Sequence, residues 1–107
     1  MSKRLEKELH FLQLLLSTDK QQAKALMYTL TPTQAEALVE ILTNLTQIDV
    51  PKETKVLLNR RQRLLKKLTD QRTTLSAKTR LLQKHYRQVY DTLLSVKSKL
   101  TALLRCL

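Results

Sequence analysis

The chain has 107 residues, with 20 Lys+Arg against 9 Asp+Glu for a formal charge of +11, 42% hydrophobic residues, two Pro, one Cys, and neither Gly nor Trp. Without Gly, phosphate-cradling loops of the P-loop and dinucleotide type are excluded and turn-rich β folds are disfavoured, because both need backbone positions that a Cβ obstructs. The apolar content exceeds that of a disordered polyelectrolyte, so the expectation is an all-α domain with a polyanionic partner.

Leu5, Leu9, Leu12 and Leu16, with Phe11 and Leu15 beside them, form one apolar stripe at helical spacing and predict a first helix over residues 2–16. Thr18-Asp19-Lys20-Gln21 has the Thr-x-x-Gln form of a capping box, in which hydroxyl and amide satisfy orphan backbone groups reciprocally. A second helix over residues 19–29 follows, with Ala23, Leu26, Met27 and Leu30 inward. Thr31-Pro32-Thr33-Gln34 repeats the box with Pro at the first helical position, where its missing N–H costs nothing. It opens a third helix to residue 46 that buries Ala35, Leu38, Ile41, Leu42 and Leu45.

Asp49-Val50-Pro51 separates the third helix from a fourth that runs to residue 69, since the residue before Pro is pushed out of the α region. Its apolar residues Val56, Leu57, Leu58, Leu64, Leu65 and Leu68 are interrupted by Asn59-Arg60-Arg61-Gln62-Arg63. Residues 70–74 are polar and hold a candidate Thr N-cap but neither Gly nor Pro; they permit a helical hairpin or one continuous helix, and the hairpin is the favoured reading. A last helix over residues 75–105 carries Leu82, Tyr86, Val89, Leu93, Val96, Leu100, Leu103 and Leu107 at strict alternation of four and three, the spacing of a coiled-coil seam. At 1.5 Å per residue this helix is roughly 45 Å long, more than three short helices can cover. The seam is therefore expected to be shielded by a second copy of the chain, in a homo-oligomer.

The first 48 residues carry five basic and five acidic side chains, so residues 49–107 hold the entire net charge. The expected organisation is a neutral three-helix cluster over residues 1–48 packed on a long basic helical hairpin over residues 49–107, as one cooperative domain. Arg60, Arg61, Arg63, Lys66, Lys67, Arg72, Lys78, Arg80, Lys84 and Arg87 are ten cations in twenty-eight residues, interrupted only by Asp70. A charge run is commonly a solvated face. Solvated helices, however, alternate signs through Glu/Lys pairs, which are absent here, and unpaired repulsion points to an external anion. With few aromatics and no Gly loop, the expected mode is phosphate contact on a duplex, DNA favoured, with Arg60, Arg63 and Lys67 on one helical face.

Enzymatic and metal chemistry have little support. His10, His85 and Cys106 are far apart in sequence, and Glu36 and Glu40 share a helix face without a nearby His, so no catalytic residue, metal or cofactor is expected. Tyr86 reads as seam packing with its hydroxyl at a rim. No segment reaches membrane-span length, and Glu6, Lys7, Glu8 and His10 interrupt what would be a signal peptide's apolar stretch, so residence in the nucleus or a virion after cytosolic synthesis is expected, with Cys106 reduced.

The stretch from Arg60 to Gln83, with Phe11–Leu16, Gln21–Met27 and Ala37–Asn44 before it, resembles the small basic open reading frames of Polinton/Maverick and adintovirus-type DNA elements and of related animal DNA viruses, frames often compared with adenovirus core proteins. The resemblance covers residues 9–83 and implies a virion or genome-associated basic protein. The chain departs from that pattern after Leu81-Leu82-Gln83, where the relatives turn to a Gly-rich hydrophobic tail and this chain continues as a charged amphipathic segment. The expected function is non-enzymatic, sequence-tolerant binding of duplex nucleic acid, as in packaging a genome. The alternatives are a helical adaptor whose seam captures an acidic protein partner, and a cationic terminal helix lying on an anionic membrane surface.

Overall fold

The computed structural model describes residues 3–97 and 100, with Arg4 and Leu5 described by backbone alone. Its helices are α1 (Lys3–Lys7), α2 (Leu9–Ser17), α3 (Lys20–Tyr28), α4 (Pro32–Leu45), α5 (Lys52–Arg60), α6 (Gln62–Thr69), α7 (Leu75–Lys84) and α8 (Tyr86–Ser95). The fold is all-α, and the described residues contain no strand. Among them, no helix is long and apolar enough to cross a membrane.

Three helices, α3, α4 and α7, start at a side-chain cap. Thr31 caps α4 with a complete box: its hydroxyl accepts from the Gln34 amide at 3.2 Å while the Gln34 side chain accepts from the Thr31 amide at 3.0 Å. The first box is corrected by one residue. Asp19 is the cap of α3, its carboxylate accepting from the Gln22 amide at 2.8 Å, whereas the Thr18 hydroxyl donates backward to the Leu15 carbonyl at 3.1 Å. A carboxylate at the N-terminus also complements the helix dipole, which a hydroxyl does not. Replacing Asp19 or Thr31 by Ala should therefore cost about 1 kcal/mol each in chemical denaturation, and Thr18→Ala less than either. A larger loss at Thr18 than at Asp19 would overturn this assignment.

The 70–74 segment reverses the chain. α6 ends at Thr69, the Asp70 carboxylate accepts from the Arg72 amide at 2.9 Å, and Thr74 caps α7 by accepting from Ala77 at 3.2 Å. Both arms of the resulting hairpin bend. At Arg61 (φ −108°, ψ 23°) and His85 (φ −110°, ψ 33°) the backbone leaves the helical region for one residue, as it does at Glu8 between α1 and α2. The hydrogen-bond ladder resumes across each bend, with Leu65 donating to Arg61 and Val89 to His85, so these are bends in continuous helices and not breaks.

The core is one cluster fed by both halves of the chain. Leu12, Leu15, Met27, Leu38, Leu42 and Leu45 from α2–α4 pack with Leu68, Leu82, Val89 and Leu93 from α6–α8. α4 lies on α6 and α7, α3 on α7 and α8, and α5 on α8. The Tyr90 hydroxyl donates to the Thr18 carbonyl, so a polar tie joins the two halves as well, and Thr54, fully buried in α5, shares a 2.8 Å hydrogen bond with Ser95 of α8 within the second half.

This packing corrects the expectation for the seam. Leu82, Val89, Leu93, Val96 and Leu100 are all buried within the single chain, and Tyr86 is half-buried against the same core. The premise that short helices cannot reach along the last helix fails for a geometric reason: the helix bends at His85, and the fold measures only 31 × 28 × 28 Å, so α3, α4 and α5 meet it on several sides. These residues are intramolecular core rather than an oligomerisation surface. Leu103 and Leu107 lie outside the described residues.

Candidate nucleic-acid interface

Arg60, Arg61, Arg63 and Lys67 line a single cavity of about 420 Å³ where the bend of α5–α6 faces the bend of α7–α8, and Leu81, His85 and Gln88 complete its far wall. No carboxylate lines it. Helical spacing explains the convergence: residues 60, 63 and 67 recur at three and four along α5–α6, and residues 81, 85 and 88 at four and three along α7–α8.

Arg61 has a different origin. Thr54, Leu58, Leu65 and Leu68 lie on the inward stripe of α5–α6, and Arg61 occupies the inward register between Leu58 and Leu65, three residues from the first and four from the second. It is half-buried where Arg60, Gln62 and Arg63 are exposed, and its Nε is buried with no hydrogen-bond partner among the described residues. The bend lies at this residue, and its amide is shared between the Leu57 and Leu58 carbonyls at 3.1 and 3.2 Å. A cation in a core stripe is a signal present in the sequence, and it disappears when the arginines are read only as a run of charge.

The other expected contacts are dispersed. Lys66 lines a separate open groove with Leu45, Ile48 and Leu58. Arg72 forms an ion pair with Asp70 at 3.6 Å in the interhelical turn. Lys78 lines a third cavity with Glu36 and Glu40, so its surroundings are acidic, and those two glutamates are not simply solvent-facing. Arg80, Lys84 and Arg87 are exposed on α7–α8. Among the described residues the cations in ion pairs are Lys20, Lys55 and Arg72, leaving Arg60, Arg63, Lys66, Lys67, Arg80, Lys84 and Arg87 without a carboxylate partner.

A second basic surface was not evident in the linear sequence. Lys24 of α3 places its Nζ 6.0 Å from the Tyr28 ring and 5.8 Å from the Tyr86 ring, joining α3 to the start of α8 through cation–π contacts. Arg87 donates to the Tyr86 hydroxyl at 3.2 Å. That hydrogen bond, reinforced by the Arg87, Lys24 and Lys20 charges, holds the Tyr86 phenol below its ordinary pKa, and the same bond raises that of Arg87. Tyr28 and Tyr86 are too distant in sequence for periodicity to pair them.

The described residues hold no group of three or more His, Cys, Asp or Glu side chains fit to bind a metal ion. No family model, curated protein or solved structure matches the chain.

Proposed function

We propose that the chain binds nucleic acid through phosphate contacts, without base readout and without catalysis. The observation that carries this reading is the convergence of Arg60, Arg61, Arg63 and Lys67 on one carboxylate-free cavity, with Arg80, Lys84 and Arg87 also exposed on α7–α8. Like charges held this close repel, and a polyphosphate removes the repulsion while releasing its own condensed counterions. A rigid helical surface of cations without loops or strand edges suits the regular phosphate spacing of a duplex, and DNA is the favoured form. Packaging of a viral or transposon genome in a virion or nucleus is the biological setting that the resemblance to small basic viral frames supports.

The test is a salt titration of duplex DNA binding. If about six phosphates are neutralised, log K should fall with log salt at a slope near −5. A slope near zero would remove the proposal. Binding to an acidic protein with no response to competing DNA would replace it with the adaptor reading.

A further inference from the structure

The geometry points to the cavity between the two helix bends as a discrete seat for one phosphate group, with the Arg61 guanidinium as its innermost donor. This deepens the nucleic-acid reading, on which it rests for the source of the phosphate, by separating one inserted anion from the diffuse contacts of the exposed lysines and arginines.

The argument begins with the cost of Arg61. Its position in the inward stripe of α5–α6 is one that Leu or Met would fill with a gain in packing, as Leu58 and Leu65 do on either side. Instead it holds a permanent cation whose Nε–H is buried and unpartnered. That one N–H loses its hydration and receives nothing in return, a destabilising arrangement for a donor on a half-buried side chain. Buried donors in native folds ordinarily find an acceptor, and no carboxylate is present to serve as one, since the other charged residues lining the adjoining cavity are basic: Arg60, Arg63 and Lys67. His85 and Gln88 on the opposite wall add further N–H donors.

The chemistry of the missing acceptor follows from these donors. Four cations on the α5–α6 arm, faced by His85 and Gln88 on the other, suit a ligand with more than one negative charge or several oxygens on one centre, and planar guanidinium groups match a tetrahedral oxyanion through paired N–H···O bonds. The volume of about 420 Å³ admits a phosphate with its hydration or its ester neighbours. A phosphate there would bond α5–α6 to α7–α8 across their bends, so its binding should stiffen the hairpin. A phosphodiester of a nucleic acid and free inorganic phosphate share this chemistry.

The experiment compares thermal unfolding in inorganic phosphate and in sodium chloride at equal ionic strength, for the unmodified chain, Arg61→Met and the charge-matched control Lys52→Gln, followed by duplex DNA binding of the same three proteins. At phosphate about tenfold above its Kd, the unmodified chain and Lys52→Gln should gain about 5–10 °C relative to chloride. Arg61→Met should be at least as stable as the unmodified chain in chloride and gain nothing from phosphate. Should Arg61→Met fail to fold, the exposed pair Arg60→Gln and Lys67→Gln must abolish the phosphate gain while keeping the helical signal. A duplex affinity about tenfold weaker in Arg61→Met than in Lys52→Gln identifies the phosphodiester as the occupant, and equal affinities identify free phosphate. Equal stabilisation by phosphate and chloride in the unmodified chain, or an undiminished gain in Arg61→Met, overturns the seat; DNA binding with a steep salt slope in that same protein would leave the broader proposal standing.

Discussion

Leu82→Ala should destabilise the chain by about 2–5 kcal/mol, and Leu93→Asp should prevent folding at ordinary temperatures. Leu82 is fully buried and Leu93 is 2% exposed, both within the one core that joins the two halves of the chain. Truncating Leu82 removes its transfer free energy and leaves a space between α4 and α7 that packed helices cannot fully close. An Asp at position 93 adds the desolvation of a carboxylate with no cation in the core to receive it, against a total stability that for a domain of this size is about 5–15 kcal/mol. Urea denaturation followed by helical circular dichroism measures both. The unmodified chain should unfold at a midpoint independent of protein concentration, since its seam is covered intramolecularly. A folded Leu93→Asp chain with an unchanged midpoint would mean that the seam faces outward.

Reversing the charge of Arg60, Arg63 and Lys67 to Glu should weaken duplex binding by about two orders of magnitude or more at low salt and bring the salt slope from near −5 to about −2, as three phosphate contacts account for about 0.9 each. All three side chains are exposed and none has a carboxylate partner among the described residues, so the helical signal should be unchanged. The contrast with Lys66 is informative. Lys66 is equally exposed but lines another groove, so Lys66→Glu alone should shift the slope by no more than one contact's worth. Equal effects from any three surface cations would indicate that net charge, and not the converging cluster, governs binding.

Local rules account for much of this fold. The Thr31 box, the start of α5 at Pro51, the Thr74 cap and the inward residues of α4 follow from interactions within a few residues, and such interactions are written in the order of the chain. The first cap shows where a local rule reaches its resolution. Thr18 and Asp19 are both competent N-caps one residue apart, and the choice falls to Asp19 once the Thr18 hydroxyl is bound to Leu15 and its carbonyl to Tyr90, seventy-two positions away.

Composition and periodicity by themselves determined the helical class, the position of most helices and the placement of all net charge after residue 48, because propensity, capping and charge are properties of short stretches. Tertiary structure alone decided which cations share a site and what covers the seam. A heptad pattern states that one helical face is apolar, but it is silent on whether that face meets another chain or its own; the bend at His85 let α3, α4 and α5 enclose it. In the same way a run of ten cations winds around its helices, so neighbours in sequence point apart. Only the facing of two bends gathers Arg60, Arg61, Arg63 and Lys67 around one cavity while sending Lys66, Arg72 and Lys78 elsewhere.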